Sequence, residues 1–245
     1  MTDAALTDQL TQCSQACRIL EMEGHGDMTL GHLSFRDPDG QGFWMKRNAK
    51  GLGEITGPDD FVLVDWDGNK IAGAGGRHSE WPIHSEIMKL RPDVNVTVHS
   101  HPFHASVFSS ATSTLQPYTV SADYFIDVPR HNADVALITT KEEGQDLAKS
   151  LGGGYVAFMT NHGVTFCGTT IAHAVCVGIF LEQACKAQLA GMSAKFETTM
   201  PSRAIREKRH TQIMTRVHWD HSWNYFCRKL SALESRSGGI KEVYA

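Results

Sequence analysis

The sequence predicts an α/β fold in which a central, mostly antiparallel β-sheet is covered by helices on both faces. Short β-type segments cluster in the middle of the chain, and helical segments precede, separate and follow them. The chain has 245 residues, of which 41% are hydrophobic, and this is enough for one sizeable core. We therefore predict a single domain over residues 1–245, with a helical tail at about residues 200–235.

The first elements follow from hydrophobic spacing and from turn residues. Apolar residues recur at helical spacing over residues 5–23, and the glycines in residues 24–31 end this helix. Three short segments rich in β-forming residues come next, and the turns between them predict a run of antiparallel strands. These strands are predicted at residues 33–36, 43–46 and 61–65.

Helices and strands alternate in the rest of the chain. Ser79 can cap a central helix that Pro92 and Asp93 end. Valines alternate with polar residues over residues 94–98, which is the period of a half-buried strand. Further helices are predicted at 102–110, 141–151, 170–191 and 203–230, further strands at 135–138, 155–159 and 163–167, and a frayed end at 235–245.

Composition narrows the class of protein. The net charge of −4 gives no electrostatic footprint for nucleic acid, and no apolar run reaches transmembrane length. The N-terminus is acidic and polar, unlike a signal peptide. The six cysteines lack zinc-finger spacing, so we interpret them as free thiols in a reducing compartment. We predict a cytoplasmic protein with a small-molecule substrate and with no nucleic-acid or membrane partner.

Histidines after a strand give the strongest functional signal. His99 and His101 are two residues apart on an extended backbone, so both imidazoles can reach one ion. A metal site needs at least a third ligand, and His162 is the best candidate because it lies on a tight turn between two short strands. Glu80, just ahead of the central helix, could be turned toward the same place. Three imidazoles and one carboxylate suit a divalent transition metal with an open coordination position, such as Zn, Mn, Fe or Co.

These residues lie in motifs that resemble a known family. The motifs are S-E-W, R-P-D-V, V-H-S-H-P and N-H-G-V, in that order. From about residue 16 to residue 192 the sequence resembles the class II aldolase/adducin family. The resemblance implies that Glu80 is the catalytic proton-transfer residue and that His99, His101 and His162 hold the metal. It also implies the fold of that family, usually assembled as a homotetramer with active sites between subunits.

Three departures from the family pattern bear on the substrate. Sugar-phosphate members hold phosphate with a G-N-(L/V)-S turn, a T-G pair and an S-S pair. In this sequence His32 takes the asparagine position, residues 46–51 read K-R-N-A-K-G, and Arg77 and a histidine precede Ser79. Cationic and imidazole groups thus replace small hydroxyls and an amide, which favours a carboxylate over a phosphate. We predict that His32, Lys50, Arg77 and Ser79 bind the substrate.

The sequence therefore predicts a metal-dependent carbon–carbon lyase that acts through an enolate stabilised by the metal. The favoured reaction is decarboxylation of a non-phosphorylated, hydroxylated aromatic or heteroaromatic acid, whose ring the aromatic residues of the tail could contact. Two other reactions stay open, namely aldol cleavage of a sugar or hydroxy acid and iron-dependent oxygenation on the same fold. A non-catalytic scaffold like the adducin head is disfavoured because every expected ligand is present.

Overall fold

An eight-stranded β-sheet runs through the centre of the computed structural model, which describes residues 3–131, 137–195 and 197–236. The strands are β1 (His32–Arg36), β2 (Gly42–Lys46), β3 (Phe61–Asp65), β4 (Lys70–Ala72), β5 (Val96–Ser100), β6 (Arg130–His131), β7 (Val156–Met159) and β8 (Gly163–Gly168). Their order in the sheet is β4-β3-β2-β1-β5-β8-β7-β6. All neighbours pair antiparallel except β6 and β7, which pair in parallel. The predicted mostly antiparallel sheet is confirmed.

Helices cover both faces of this sheet. They are α1 (Asp3–Leu20), α2 (Trp81–Leu90), α3 (Phe103–Ser109), α4 (Lys141–Leu151), α5 (Ile171–Ala194), α6 (Arg203–Ile213) and α7 (Arg216–Arg236). Buried apolar residues of α1, α3, α5 and α7 pack on one face, and those of α2 and α4 pack on the other. This arrangement confirms the predicted fold class. Across the described ranges, no helix combines the length and the apolar character that a membrane crossing requires.

Several predicted boundaries differ from the structure. The tail is two helices, α6 and α7, because the backbone leaves helical geometry at Met214, where no glycine or proline signals a break. The first helix continues beyond α1 into a π-helical turn, Glu21–His25, within which Gly24 has a φ of 89°. The short strands β4 and β6 were not predicted. Half of the predicted strand at 135–138 lies outside the described residues, and the other half, Leu137 and Ile138, is not in a strand. Most of the predicted frayed end at 235–245 also lies outside the described residues.

The predicted character of β5 is wrong in one respect. The alternation of valine with polar residues predicts a half-buried strand, yet every residue of β5 is buried. Helices lie on both sides of the sheet at this point, so the polar side chains of Thr97 and His99 are enclosed beside α2 rather than exposed to water. β5 also includes His99, although the sequence predicts that the strand ends before this residue.

His25 gives the fold an expected sensitivity to acid. The ring is fully buried, its Nδ1 lies 2.9 Å from Ser100 Oγ, and burial lowers the pKa of His25 to about 3. The unfolded chain, with a histidine pKa of about 6.5, binds this proton more readily. Stability is therefore present above that value and is lost as the pH falls from about 6.5 toward 3, at up to roughly 1.4 kcal/mol per pH unit.

Urea unfolding at several pH values from 7 to 4 measures this contribution. His25→Asn removes the titrating ring, so its free energy of unfolding should fall less steeply with decreasing pH than that of the wild type. His221→Asn, at an exposed position of α7, should keep the wild-type slope. Equal slopes for His25→Asn and the wild type would contradict the assignment.

Candidate active site

Two neighbouring strands bring functional side chains to the same face of the sheet. In the antiparallel pair of β1 and β5, His32 lies directly opposite His99, and Ser34 lies opposite Thr97. Side chains alternate along a strand, so these four residues point to the α2 face, while the residues between them join the core on the other face. The polar residues of two distant sequence segments thus meet under α2.

Three histidines form a cluster at the end of β5. The Nδ1 atom of His99 lies 3.0 Å from the Val164 carbonyl oxygen, and that of His101 lies 2.9 Å from Asp27 Oδ2. Both acceptors require an N–H, so each Nδ1 carries a proton, and in the neutral ring that a metal ligand requires each Nε2 is bare. The His162 ring lies 4.9 Å from the His99 ring and 5.1 Å from the His101 ring, measured between centroids.

The turn between β7 and β8 places His162 in this cluster. Asn161 has a φ of 57°, and the His162 amide donates to the Met159 carbonyl at 3.0 Å, which closes the turn. Asparagine adopts the left-handed conformation more readily than most residues, so the sequence N-H-G suits a turn of this shape. Burial, followed by the charge of His101, lowers the pKa of His162 to about 4.

Gly163 leaves the space that His101 occupies. A Cβ atom at this position would lie 2.5 Å from the His101 ring and 2.7 Å from the Ser100 carbonyl oxygen. Both distances are far below van der Waals contact, and the second involves backbone that cannot move aside. The glycine is therefore a steric requirement of the neighbouring histidine.

The donor set of this cluster fits a divalent cation. One ligand atom each from His99, His101 and His162 lies within 4.8 Å of the others. The bare Nε2 atoms of His99 and His101 are 3.0 Å apart, and two lone pairs repel at this distance unless a cation lies between or beside them. Held Nδ1–H groups and free Nε2 atoms are the arrangement that histidine ligands adopt around metals.

Glu80 lies beside this cluster at the start of α2. It occupies the N-cap position, but its carboxylate turns inward and accepts the Ile138 amide at 3.1 Å. Its Oε2 lies 3.7 Å from Nε2 of both His32 and His99. Burial raises the pKa of Glu80 to about 7, although the Ile138 hydrogen bond acts in the opposite direction. At neutral pH this carboxyl group can therefore hold or release a proton.

Further imidazoles fill the space behind Glu80. His32 Nδ1 lies 2.7 Å from His84 Nε2, and His84 Nδ1 lies 2.6 Å from Ser34 Oγ. The ring of His78 is 4.5 Å from that of His32. Burial lowers the pKa values of His78 and His84 to about 3, so both rings are neutral near pH 7. His84 is thus a hydrogen-bonded histidine on α2 rather than a member of the three-histidine cluster.

Lys50 and Ser79, which the sequence predicts to bind the substrate, have no described contact with Glu80 or with the three histidines. The Lys50 ammonium pairs with Asp60 at 2.7 Å. Ser79 is exposed and does not cap α2, which begins at Trp81 with Glu80 in the cap position. Of the four predicted substrate-binding residues, His32 is the one with a described contact to Glu80.

The hydrogen bonds of Arg77 are directed to backbone. Its guanidinium donates to the Gly68 carbonyl and, at 3.1 Å, to the His78 carbonyl. It also lies over the Trp81 ring, 5.3 Å from the centroid. These contacts hold the loop before α2, and they engage two of the guanidinium N–H groups that could otherwise bind a carboxylate.

The sequence did not indicate the role of Asp27 at the site. Asp27 lies in a glycine-rich loop, 74 residues before the histidine that it contacts, and nothing local distinguishes it from a turn residue. The contact of tail aromatics with a substrate ring stays a prediction, and two of these aromatics are buried in the core. Trp219 packs against His173 of α5 with a centroid distance of 4.8 Å, and Phe226 is buried in the same core.

Comparisons with known proteins identify relatives of this chain by sequence and by fold. Residues 11–189 match the family model described as the class II aldolase and adducin N-terminal domain. The chain is 29% identical over 195 residues to the 3,4-dihydroxyphthalate decarboxylase of Rhodococcus jostii, covering 74% of this chain and 79% of that protein. It is 28% identical over 184 residues to the 4-hydroxy-3-prenylphenylpyruvate oxygenase/4-hydroxy-3-prenylbenzoate synthase of Streptomyces roseochromogenus, covering 74% and 66%. The solved L-fuculose 1-phosphate aldolase from Glaciozyma antarctica superposes with a TM-score of 0.82 at 26% identity, covering 96% of this chain and 93% of that one.

Proposed function

This chain belongs to the class II aldolase and adducin family and is a metal-dependent lyase, and from that premise we propose that it decarboxylates a hydroxylated aromatic or heteroaromatic acid without a phosphate group. The observation that carries the proposal is the buried carboxyl of Glu80 beside three clustered histidines, with a pKa raised to about 7. A carboxyl group with this pKa is an effective general acid at neutral pH. The relative from Rhodococcus jostii, whose name describes a dihydroxyphthalate decarboxylase, supports the substrate class.

The proposed metal ligands are His99, His101 and His162, and Zn, Mn, Fe and Co all suit this donor set. When bound, the ion supplies Lewis-acid stabilisation of negative charge on the substrate oxygens. The Val164 carbonyl and the Asp27 carboxylate fix the tautomers and the ring orientations of His99 and His101. His99 is fully buried, whereas His101 and His162 are partly exposed, so a substrate can reach the cluster from their side.

In the proposed reaction Glu80 delivers a proton. The bond between the ring carbon and the carboxylate breaks, CO₂ leaves, and the electron pair stays on the ring carbon. Glu80 then gives its proton to that carbon, and solvent returns a proton to Glu80. The Ile138 amide holds the carboxyl in place, and burial of Glu80, His32 and His99 excludes water from the reacting carbon.

The residues at the anion position disfavour a phosphate ester. Phosphate sites in proteins normally offer backbone N–H groups and small hydroxyls at close range. His32 and His78 instead fill this corner with two rings, and His32 is fully buried. The roles of Lys50 and Arg77 in substrate binding stay predictions, since each would require the side chain to leave the contacts described above.

Oxygenation is a second candidate, and the name of the Streptomyces relative favours it. Three protein ligands leave coordination positions open, as in non-haem iron oxygenases. Aldol cleavage is a third candidate, which the structural likeness to an L-fuculose 1-phosphate aldolase supports. The same three histidines and the same carboxyl could serve each reaction, so product and co-substrate distinguish them.

A substrate screen tests the choice among these reactions. Protein reconstituted separately with Zn²⁺, Mn²⁺, Fe²⁺ and Co²⁺ is incubated with dihydroxybenzoates, dihydroxyphthalates and hydroxypyridine carboxylates, with metal-free protein as the control. We expect metal-dependent CO₂ release from at least one hydroxy acid under anaerobic conditions. Stoichiometric oxygen consumption would instead support the oxygenase, and efficient cleavage of a ketose or aldose phosphate would return the chain to the ordinary aldolases.

We also propose that the protein is a cytoplasmic homo-oligomer, a tetramer as the resemblance implies. Met28 and Phe103 are 77% and 71% exposed, and they flank Asp27 and His101 in sequence. Large apolar side chains at the rim of a site favour coverage by another subunit. All six cysteines are free thiols, which supports a reducing compartment.

A further inference from the structure

A line of hydrogen-bonded side chains runs from the interior of the sheet toward Glu80. It begins at Ser34 Oγ, which lies 2.6 Å from His84 Nδ1, and continues from His84 Nε2 to His32 Nδ1 at 2.7 Å. From there His32 Nε2 faces Glu80 Oε2 at 3.7 Å, which is longer than a hydrogen bond. Ser34, His84 and His32 are all fully buried, so water does not compete for these contacts.

The direction of the line follows from the group at its inner end. Ser34 donates its only proton to the Thr97 carbonyl oxygen at 3.4 Å, which leaves Oγ as an acceptor for His84. With Oγ as the acceptor, the His84 proton lies on Nδ1, the ring nitrogen that contacts Ser34. A neutral imidazole has one N–H, so His84 Nε2 must accept from His32 Nδ1–H.

The outer end of the line is then determined. Because the only proton of a neutral His32 is on Nδ1, its Nε2 is a bare acceptor that faces Glu80. An acceptor in a buried site discriminates against ligands that cannot donate to it, because an unpaired group there costs binding free energy. A phenolic hydroxyl is a donor, whereas the corresponding methyl ether is not.

We propose that Ser34 and His84 are positioning residues that lock His32 in the Nδ1–H tautomer, so that His32 Nε2 selects substrates carrying a free hydroxyl. The hydroxyl would donate to Nε2 beside the carboxyl of Glu80. The choice of a hydroxylated substrate rests on the proposed function, but the tautomer of His32 does not. The two parts can therefore fail separately.

The tautomer is measured directly on metal-free protein without substrate. In protein labelled with ¹⁵N at histidine, two-bond proton–nitrogen correlations distinguish a protonated Nδ1 from a protonated Nε2. The signals are assigned by their loss in His32→Gln and in His84→Gln. We expect Nδ1–H on both His32 and His84. An Nε2–H tautomer of His32 would overturn the proposal whatever reaction the enzyme catalyses.

Matched variants test the positioning role. Glutamine at position 84 can place an amide oxygen near the former Nε2, whereas asparagine reaches only the region of Nδ1, so His84→Gln should retain the tautomer of His32 and His84→Asn should lose it. Ser34→Thr keeps the hydroxyl and Ser34→Ala removes it, which provides a second pair if His84→Asn does not fold.

The kinetic readout is the preference in kcat/KM for a hydroxy acid over its O-methyl ether. This preference should fall by about 10-fold or more in Ser34→Ala and His84→Asn, and it should stay near the wild-type value in Ser34→Thr and His84→Gln. Equal losses within each pair, or a loss without any change in the tautomer, would refute the positioning role. If no hydroxy acid is turned over, the proposed function fails while the tautomer measurement still decides the rest.

Discussion

Alanine at any one of His99, His101 and His162 is expected to abolish metal-dependent turnover and to remove the bound ion. Each substitution deletes one of three donor atoms that lie within 4.8 Å of each other. Loss of an outer-shell partner typically costs roughly 10–100-fold in metal affinity, and loss of a ligand should cost more. Metal content after dialysis, and titration against a chelator, measure the effect. Circular dichroism tests whether each variant still folds.

Two further variants calibrate this result. Asp27→Asn leaves the three histidines intact but weakens the partner of His101, so it should lose an intermediate amount of metal affinity. His221→Ala, at an exposed position of α7, should bind metal like the wild type. A folded His101→Ala variant with wild-type metal content would exclude this cluster as the metal site.

Glu80→Gln is expected to lower kcat by about 10²–10⁴-fold, the usual range for a positioned general acid or base. The glutamine side chain can still accept the Ile138 amide through its oxygen, so the start of α2 should keep its position. The proton that the carboxyl group would deliver is absent. Rapid-quench measurement of a single turnover isolates this step from product release.

Metal affinity separates the two roles that Glu80 could have. One donor atom each from His32, Glu80 and His99 also lies within 4.8 Å of the others, so a ligand role is geometrically open. A proton donor can be replaced by glutamine with little change in metal affinity, whereas replacement of a ligand would lower it. Glu142→Gln, at an exposed position in the first turn of α4, is the matched control. Near-normal turnover by Glu80→Gln would remove this residue from the mechanism.

The elements that local signals define could be predicted from the sequence. The helix predicted at residues 141–151 is confirmed as α4, in which Thr140 is the capping residue, and valine-rich segments with turn residues between them predict the sheet. The break between α6 and α7 was not predicted, because Met214 is neither glycine nor proline and the capping contact of Thr215, which accepts the His218 amide at 3.4 Å, is a weak signal in the sequence. The two-residue strand β6 could not be predicted from the sequence either, because its pairing with β7 is a tertiary contact.

Some residues of the candidate site could be predicted from the sequence, and others could not. His99, His101 and His162 are visible in the sequence because strand and turn geometry converge on one place. The partners that fix them are not, because Asp27 and Val164 are defined by strand register and loop position rather than by spacing. Arg77 illustrates the opposite case, since proximity in sequence to Glu80 suggested a substrate contact and its hydrogen bonds go to loop carbonyls.

Gly163 links the H-x-H pair and the N-H-G turn sterically, so protein engineering has to treat the two motifs together. The H-x-H pair ends β5, the N-H-G turn opens β8, and the absence of a side chain at Gly163 is what makes room for His101. A designer who transplants the three histidines to another scaffold must carry this glycine with them, because any other residue there would displace one of the three rings. Directed evolution of the turn should accordingly treat position 163 as fixed and explore neighbouring positions instead.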